Sequence, residues 1–139
     1  MATRYMKKNL SKKCERLVGK CCKISRESNH PNHHLGAVIV KSGRILASGY
    51  NRVGQHNSNN YRKFADSIHA EQDAIRSLLV QPDLLFGASL YVSRIGKSGR
   101  LLMARPCPFC MRLIKSVGIK KIFYSDSNGS ITMEKVSCD

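Results

Sequence analysis

Two short fragments, far apart in the chain, constrain its fold more than any other feature: His69-Ala70-Glu71 and Pro106-Cys107-Pro108-Phe109-Cys110. Together they offer one imidazole, one carboxylate and two thiols. Three nitrogen and sulfur ligands are what a catalytic zinc requires if its fourth tetrahedral position is to stay open. A Cys-x-x-Cys alone is equally compatible with a redox pair or half of a structural zinc knuckle, and a His-x-Glu alone carries almost no information. As a pair they demand a fold that carries both fragments to one point. A closed structural site would need a fourth Cys or His, and none is tied to this set by a recognisable spacing.

The intervening pattern supplies such a fold. Leu10, Cys14, Leu17, Cys21 and Ile24 recur in steps of four and three, which predicts an amphipathic helix over residues 7–26. Cys14 and Cys21 lie in its apolar stripe and read as small buried hydrophobes. Residues 30–34, His-Pro-Asn-His-His, read as an exposed loop, and Cys21, Cys22, His30, His33 and His34 have no recurrent metal-ligand spacing. Two strands, 36–40 and 44–48, flank a Gly-bearing turn, and a polar loop follows over 52–60. Asp66 or Ser67 can cap a helix over 68–80, which puts His69 and Glu71 in its first turn, where the dipole favours an ionised carboxylate. Pro82-Asp83 breaks it. A strand over 88–94, a basic hairpin or loop over 95–105, a helix from Cys107 or Pro108 to Val117, and strands over 119–124 and 130–136 complete the chain. The helix start favours Cys107 and Cys110 as thiolates on one face. Helices alternating with strands in this order predict an α/β layering in which both metal-bearing helix tips meet at one end of the sheet.

The 139 residues suit a single domain. No run approaches the roughly 18 apolar residues of a membrane span, and the first residues have no secretory h-region. The expectation is therefore a protein of a reducing, cytoplasmic compartment with no membrane partner, whose six cysteines are thiols or metal ligands. Twenty-four Lys and Arg against nine Asp and Glu give a net charge of +15, which predicts attraction to polyanions or phosphate-bearing molecules.

The order His-x-Glu followed by Pro-Cys-x-x-Cys resembles the signature of zinc deaminases. Over roughly residues 35–125 the chain resembles the cytidine deaminase superfamily, and in Gly49-Tyr50-Asn51 and the stretch Gly118 to Asp126 it resembles deoxycytidylate deaminases. The resemblance implies a three-layer α/β/α fold around a central five-stranded mixed sheet, with residues 1–34 as an N-terminal helix and loop and 35–139 as the deaminase core. It implies Zn2+ held by His69, Cys107 and Cys110, with Glu71 as the proton-transferring catalytic residue. Asn51 matches a sugar contact and Ala70 a backbone contact to the base, Tyr124 is a candidate to pack on the base, and Arg52 and Arg105 are among the cations available for phosphate. A homo-oligomer is also implied.

Three functional readings follow. The first is hydrolytic deamination of cytosine in a free nucleotide, of the dCMP or dCTP type. The second is deamination of cytosine in single-stranded DNA or RNA, or of adenosine in tRNA, drawn from the basic charge. The third is an inactive nucleic-acid-binding module, whose expected mark, loss of Glu71 or of a ligand, is missing from this sequence.

Overall fold

A computed structural model describes residues 3–6, 11–53 and 67–136. Its sheet runs β1 (Thr3–Met6), β7 (Ile131–Lys135), β6 (Lys121–Ser125), β4 (Ser89–Ile95), β2 (His34–Lys41), β3 (Arg44–Tyr50), and a two-residue β5 (Leu101–Leu102) pairs with the end of β4. Only β4 and β6 run parallel; every other pairing is antiparallel. Five of these strands fall where the sequence predicted them. β1 was not anticipated, and β5 converts the basic stretch after β4 into a short hairpin closed at Gly96 and Gly99.

Helices cover both faces, which gives the three-layer α/β/α arrangement. On one face α1 (Lys12–Ser25) packs Cys14, Leu17, Val18 and Cys21 against Val38, Val40 and Tyr91. Its N-cap is Ser11, whose hydroxyl accepts from the Cys14 N–H, and the expected turns over 7–10, with Leu10, lie outside the described residues. Cys21 is fully buried, its thiol donating to the Tyr91 carbonyl at 3.3 Å, so it serves packing as its place in the stripe implied. α1 approaches β2 so closely that a Cβ on Gly36 would lie 2.1 Å from the Cys21 carbonyl oxygen.

The opposite face carries the larger core, in which Ala37, Ile39, Leu90, Val92 and Ile122 of the sheet meet Ala74, Ile75 and Ile114 of the helices. Here α2 (Ala70–Arg76) bridges β3 to β4, and α3 (Pro108–Ser116) is the crossover from the β4–β5 hairpin to β6. α2 is shorter than predicted at both ends. Ile68 exchanges backbone hydrogen bonds with Arg52 at 2.9 and 3.0 Å, which holds residues 67–68 extended. The cap is therefore His69 itself (ψ 154°), not Ser67, and Asp66 lies outside the described residues. After Arg76 the backbone tightens into i→i+3 bonds through Gln81. Gly49 sets the height of α2 above the sheet, since a Cβ there would sit 2.5 Å from the Ala74 nitrogen and 2.6 Å from the Ala70 oxygen.

Candidate active site

Strand alternation aims one row of each central strand at the α2/α3 layer: residues 35, 37 and 39 of β2, and 90, 92 and 94 of β4. At the end where β2 starts and β4 stops, the row leaves the apolar core and becomes polar. The N-termini of α2 and α3 end over this edge. They enclose a cleft of about 320 Å³ lined by His69, Ala70, Glu71, Cys107, Asn51, Arg94 and others, a size within the range of small-molecule sites.

His69 caps α2, with its backbone N–H given to Gln72 Oε1 at 3.1 Å. Cys107 caps α3, Pro108 occupies the first helical position where its missing N–H is no loss, and Cys110 follows one turn on, fully buried. The two helix tips bring His69 Nδ1 to 3.3 Å from Cys110 Sγ and 3.7 Å from Cys107 Sγ. A tetrahedral zinc with bonds of about 2.0–2.1 Å to nitrogen and 2.3 Å to sulfur sets such ligands roughly 3.6 Å apart, so the donor set fits that ion. Among the described residues this is the group of His, Cys, Asp and Glu side chains whose ligand atoms converge closely enough to hold a metal. The five described cysteines are free thiols.

In the metal-free protein, electrostatics depart from the expectation of a thiolate at Cys110 and an ionised Glu71. Burial pushes the Cys110 thiol far above its ordinary value, and the neighbouring Glu71 and Cys107 push it the same way. Desolvation raises the Glu71 carboxyl from 4.5 to about 7, offset only in part by its own backbone N–H. Burial outweighs the helix-terminus effect at both groups, and a cation in the cluster is what would restore their charge.

The other predicted residues separate. Asn51 lines the cleft, but its amide is engaged: Oδ1 accepts the Leu35 N–H and Nδ2 donates to the His33 carbonyl, both at 2.8 Å. Ala70 is buried against the cleft. Arg52 and Arg105 line it too, yet both are tied to carboxylates. Arg52 Nη2 lies 2.6 Å from Asp73 Oδ1 with its guanidinium over the Tyr50 ring, and Arg105 grips Glu134 through two nitrogens at 2.7 and 3.2 Å. Tyr124 does not reach the cleft. At 1% exposure its ring belongs to the core and its hydroxyl donates to Glu134 Oε2 at 2.6 Å. Sequence reasoning missed Asp73, which holds Arg52 and the Tyr50 N–H, and also His30, His33 and Arg94 on the cleft wall. The β4 alternation that placed Leu90 and Val92 in the core could have pointed to Arg94.

This fold and this pairing of a His/Cys/Cys cluster with a buried carboxylate define a hydrolytic deaminase. Residues 11–126 match the family model described as "Cytidine and deoxycytidylate deaminase zinc-binding region", and the chain belongs to that family. Among similar proteins are deoxycytidylate deaminases of Mycobacterium phage D29 (28% identical, covering 79% of this chain and 91% of the relative) and Enterobacteria phage T2 (25%, covering 75% and 74%). The apo crystal structure of the dCMP deaminase from cyanophage S-TIM5 superposes with a TM-score of 0.67 at 26% identity, covering 86% of this chain and 89% of that one. Among the described residues no helix is long and apolar enough to cross a membrane.

Proposed function

We propose that this enzyme deaminates cytosine in a free nucleotide, with dCMP as its substrate, and that it does so as a zinc enzyme. The observation that carries the reading is the approach of His69 Nδ1 to both sulfurs at the mouth of a cleft that also contains the buried Glu71. Relatives named as deoxycytidylate deaminases support the choice of substrate. Zinc held by His69, Cys107 and Cys110 would supply Lewis acidity that makes a water deprotonable near neutral pH.

The protein's own contribution is proton management. Glu71 is buried in the cleft beside the His69, Cys107 and Cys110 cluster, where a carboxylate can accept a proton and return it during one turnover. It takes a proton from the attacking water and gives it to the ring nitrogen next to the amine-bearing carbon. It then passes the second water proton to the exocyclic amine. The carbon–oxygen bond forms, the carbon–nitrogen bond breaks, and the products are the uracil nucleotide and ammonia.

Zinc-loaded protein should release ammonia from dCMP, and Glu71→Gln should retain the metal while turnover falls by about 10²–10⁴-fold. Cys110→Ser should lower zinc stoichiometry and activity together. Ammonia release from a single-stranded oligonucleotide with none from any cytosine mononucleotide would overturn the choice of substrate.

A further inference from the structure

The cations expected to meet phosphate, Arg52 and Arg105, are each neutralised by a carboxylate. Arg94 is different. It stands at the end of β4 in the row of Leu90 and Val92, opposite Leu35 of β2, and lines the same cleft as His69 and Glu71. Among the described residues no carboxylate pairs with it. Its Nη2 lies 2.6 Å from His33 Nδ1, and its Nε is buried with no hydrogen-bond partner. The guanidinium thus keeps a permanent positive charge on the cleft wall, and an anion in the cleft would balance it.

The neighbouring imidazoles are oriented to help. His30 Nδ1 accepts the backbone N–H groups of Asn32 and His33, each at 3.0 Å, and His33 Nδ1 accepts from Arg94. With Nδ1 an acceptor in both rings, the proton of each neutral imidazole is on Nε2, so both present a donor. The rings lie 4.9 Å apart on the cleft wall. Burial, followed by the positive charge of Arg94, lowers the His33 proton affinity, in keeping with the neutral form. Asn51 fixes this wall by holding the His33 carbonyl and the Leu35 N–H.

Resting on the dCMP reading above, we propose that Arg94, with His30 and His33, binds the terminal phosphate of the nucleotide whose base lies at Glu71, and so selects a nucleotide over a nucleoside. A guanidinium supplies a permanent charge and a planar set of donors suited to a phosphate monoester, and the two imidazole N–H groups add neutral donors.

Calorimetric titration of zinc-loaded protein with dCMP, deoxycytidine and a short single-stranded cytosine oligonucleotide tests the assignment. Wild type should bind dCMP at least about tenfold more tightly than deoxycytidine. Arg94→Gln should weaken dCMP by about 10- to 100-fold and leave deoxycytidine unchanged, while Arg94→Lys, a charge without the fork, should fall between. Because the Arg94 variants can disturb folding, nitrogen-15 shifts of His30 and His33 in wild type provide a second reading: dCMP should move them and deoxycytidine should not. Equal affinity of wild type for dCMP and deoxycytidine, equal loss of both in Arg94→Gln, or histidine shifts indifferent to the phosphate would overturn the proposal. So would an Arg94 dependence confined to the oligonucleotide. Phosphate-dependent binding without ammonia release would instead sink the deamination reading and leave this site standing.

Discussion

Glu71 should make the metal-free protein less stable as pH rises, in a way that a single isosteric substitution removes. Its carboxyl is 3% exposed, and burial raises its proton affinity from 4.5 to about 7. The folded state then holds a proton that the unfolded chain has released, so the contribution to stability is fully present below pH 4.5 and is lost as pH climbs through about 7. Each tenfold difference in proton affinity is worth about 1.4 kcal/mol, so the loss between pH 4 and pH 8 comes to about 3 kcal/mol. Glu71→Gln cannot ionise. Its buried amide brings an offset of its own, but that offset is the same at every pH, so the informative quantity is the change with pH in the difference between variant and wild type. Urea denaturation of chelator-treated protein at half-unit steps from pH 4 to 8 measures it, and the raised Cys110 thiol stays protonated throughout this window. The variant should gain about 3 kcal/mol on wild type across the series. Stability curves that run parallel from pH 4 to 8 would refute the claim that desolvation governs this carboxyl. Adding zinc should flatten the difference, because a cation beside the carboxylate favours its charged form.

Two other perturbations test the frame around the site. Gly49→Ala would drive a methyl group into the backbone of α2, so it should cost about 1–3 kcal/mol or more in chemical denaturation and lower zinc stoichiometry by moving His69 off the cysteines. Arg105→Gln would leave Glu134, 1% exposed, without its bidentate partner. The expected loss is about 2–4 kcal/mol, below the full cost of a broken buried pair because Arg105 is itself about one-third exposed, and Glu134→Gln in the same chain should restore much of it.

What could be read from the sequence divides along a physical line. Short apolar runs bounded by turn residues found β2, β3, β4, β6 and β7, and the stripe at steps of three and four found α1, because those signals are local. The His69, Cys107 and Cys110 trio was legible because a metal's demand for specific donor types can be read in the residues themselves. The start of α2 was not, because its limit is a backbone bridge between Ile68 and Arg52, residues with no chemistry that announces it. The role of Gly49 was equally silent: a glycine closing a strand reads as a turn signal, whereas here it is the place where a helix backbone rests on the sheet. Helix-terminus reasoning favoured charged forms for Glu71 and Cys110 because it counted the dipole and had no measure of burial, which in the metal-free protein acts in the opposite direction.

The pairing of the arginines expected to meet phosphate has a further reason, one peculiar to a chain this basic. With 24 cationic side chains and nine acidic ones, the acids are the scarce partners, and which arginine is available depends on which few are taken. The pairs that decide it are distant in sequence: Arg52 with Asp73 across β3 and α2, and Arg105 with Glu134 across the approach to α3 and β7. Counting charges cannot foresee that both arginines nearest the motifs are claimed, nor that Glu134 takes the Tyr124 hydroxyl into the core as well. Once those pairs are assigned, the cation left to the cleft among the described residues is the one that meets an imidazole and no carboxylate. Among the described residues, the place at this cleft where the basic excess meets no acid is Arg94.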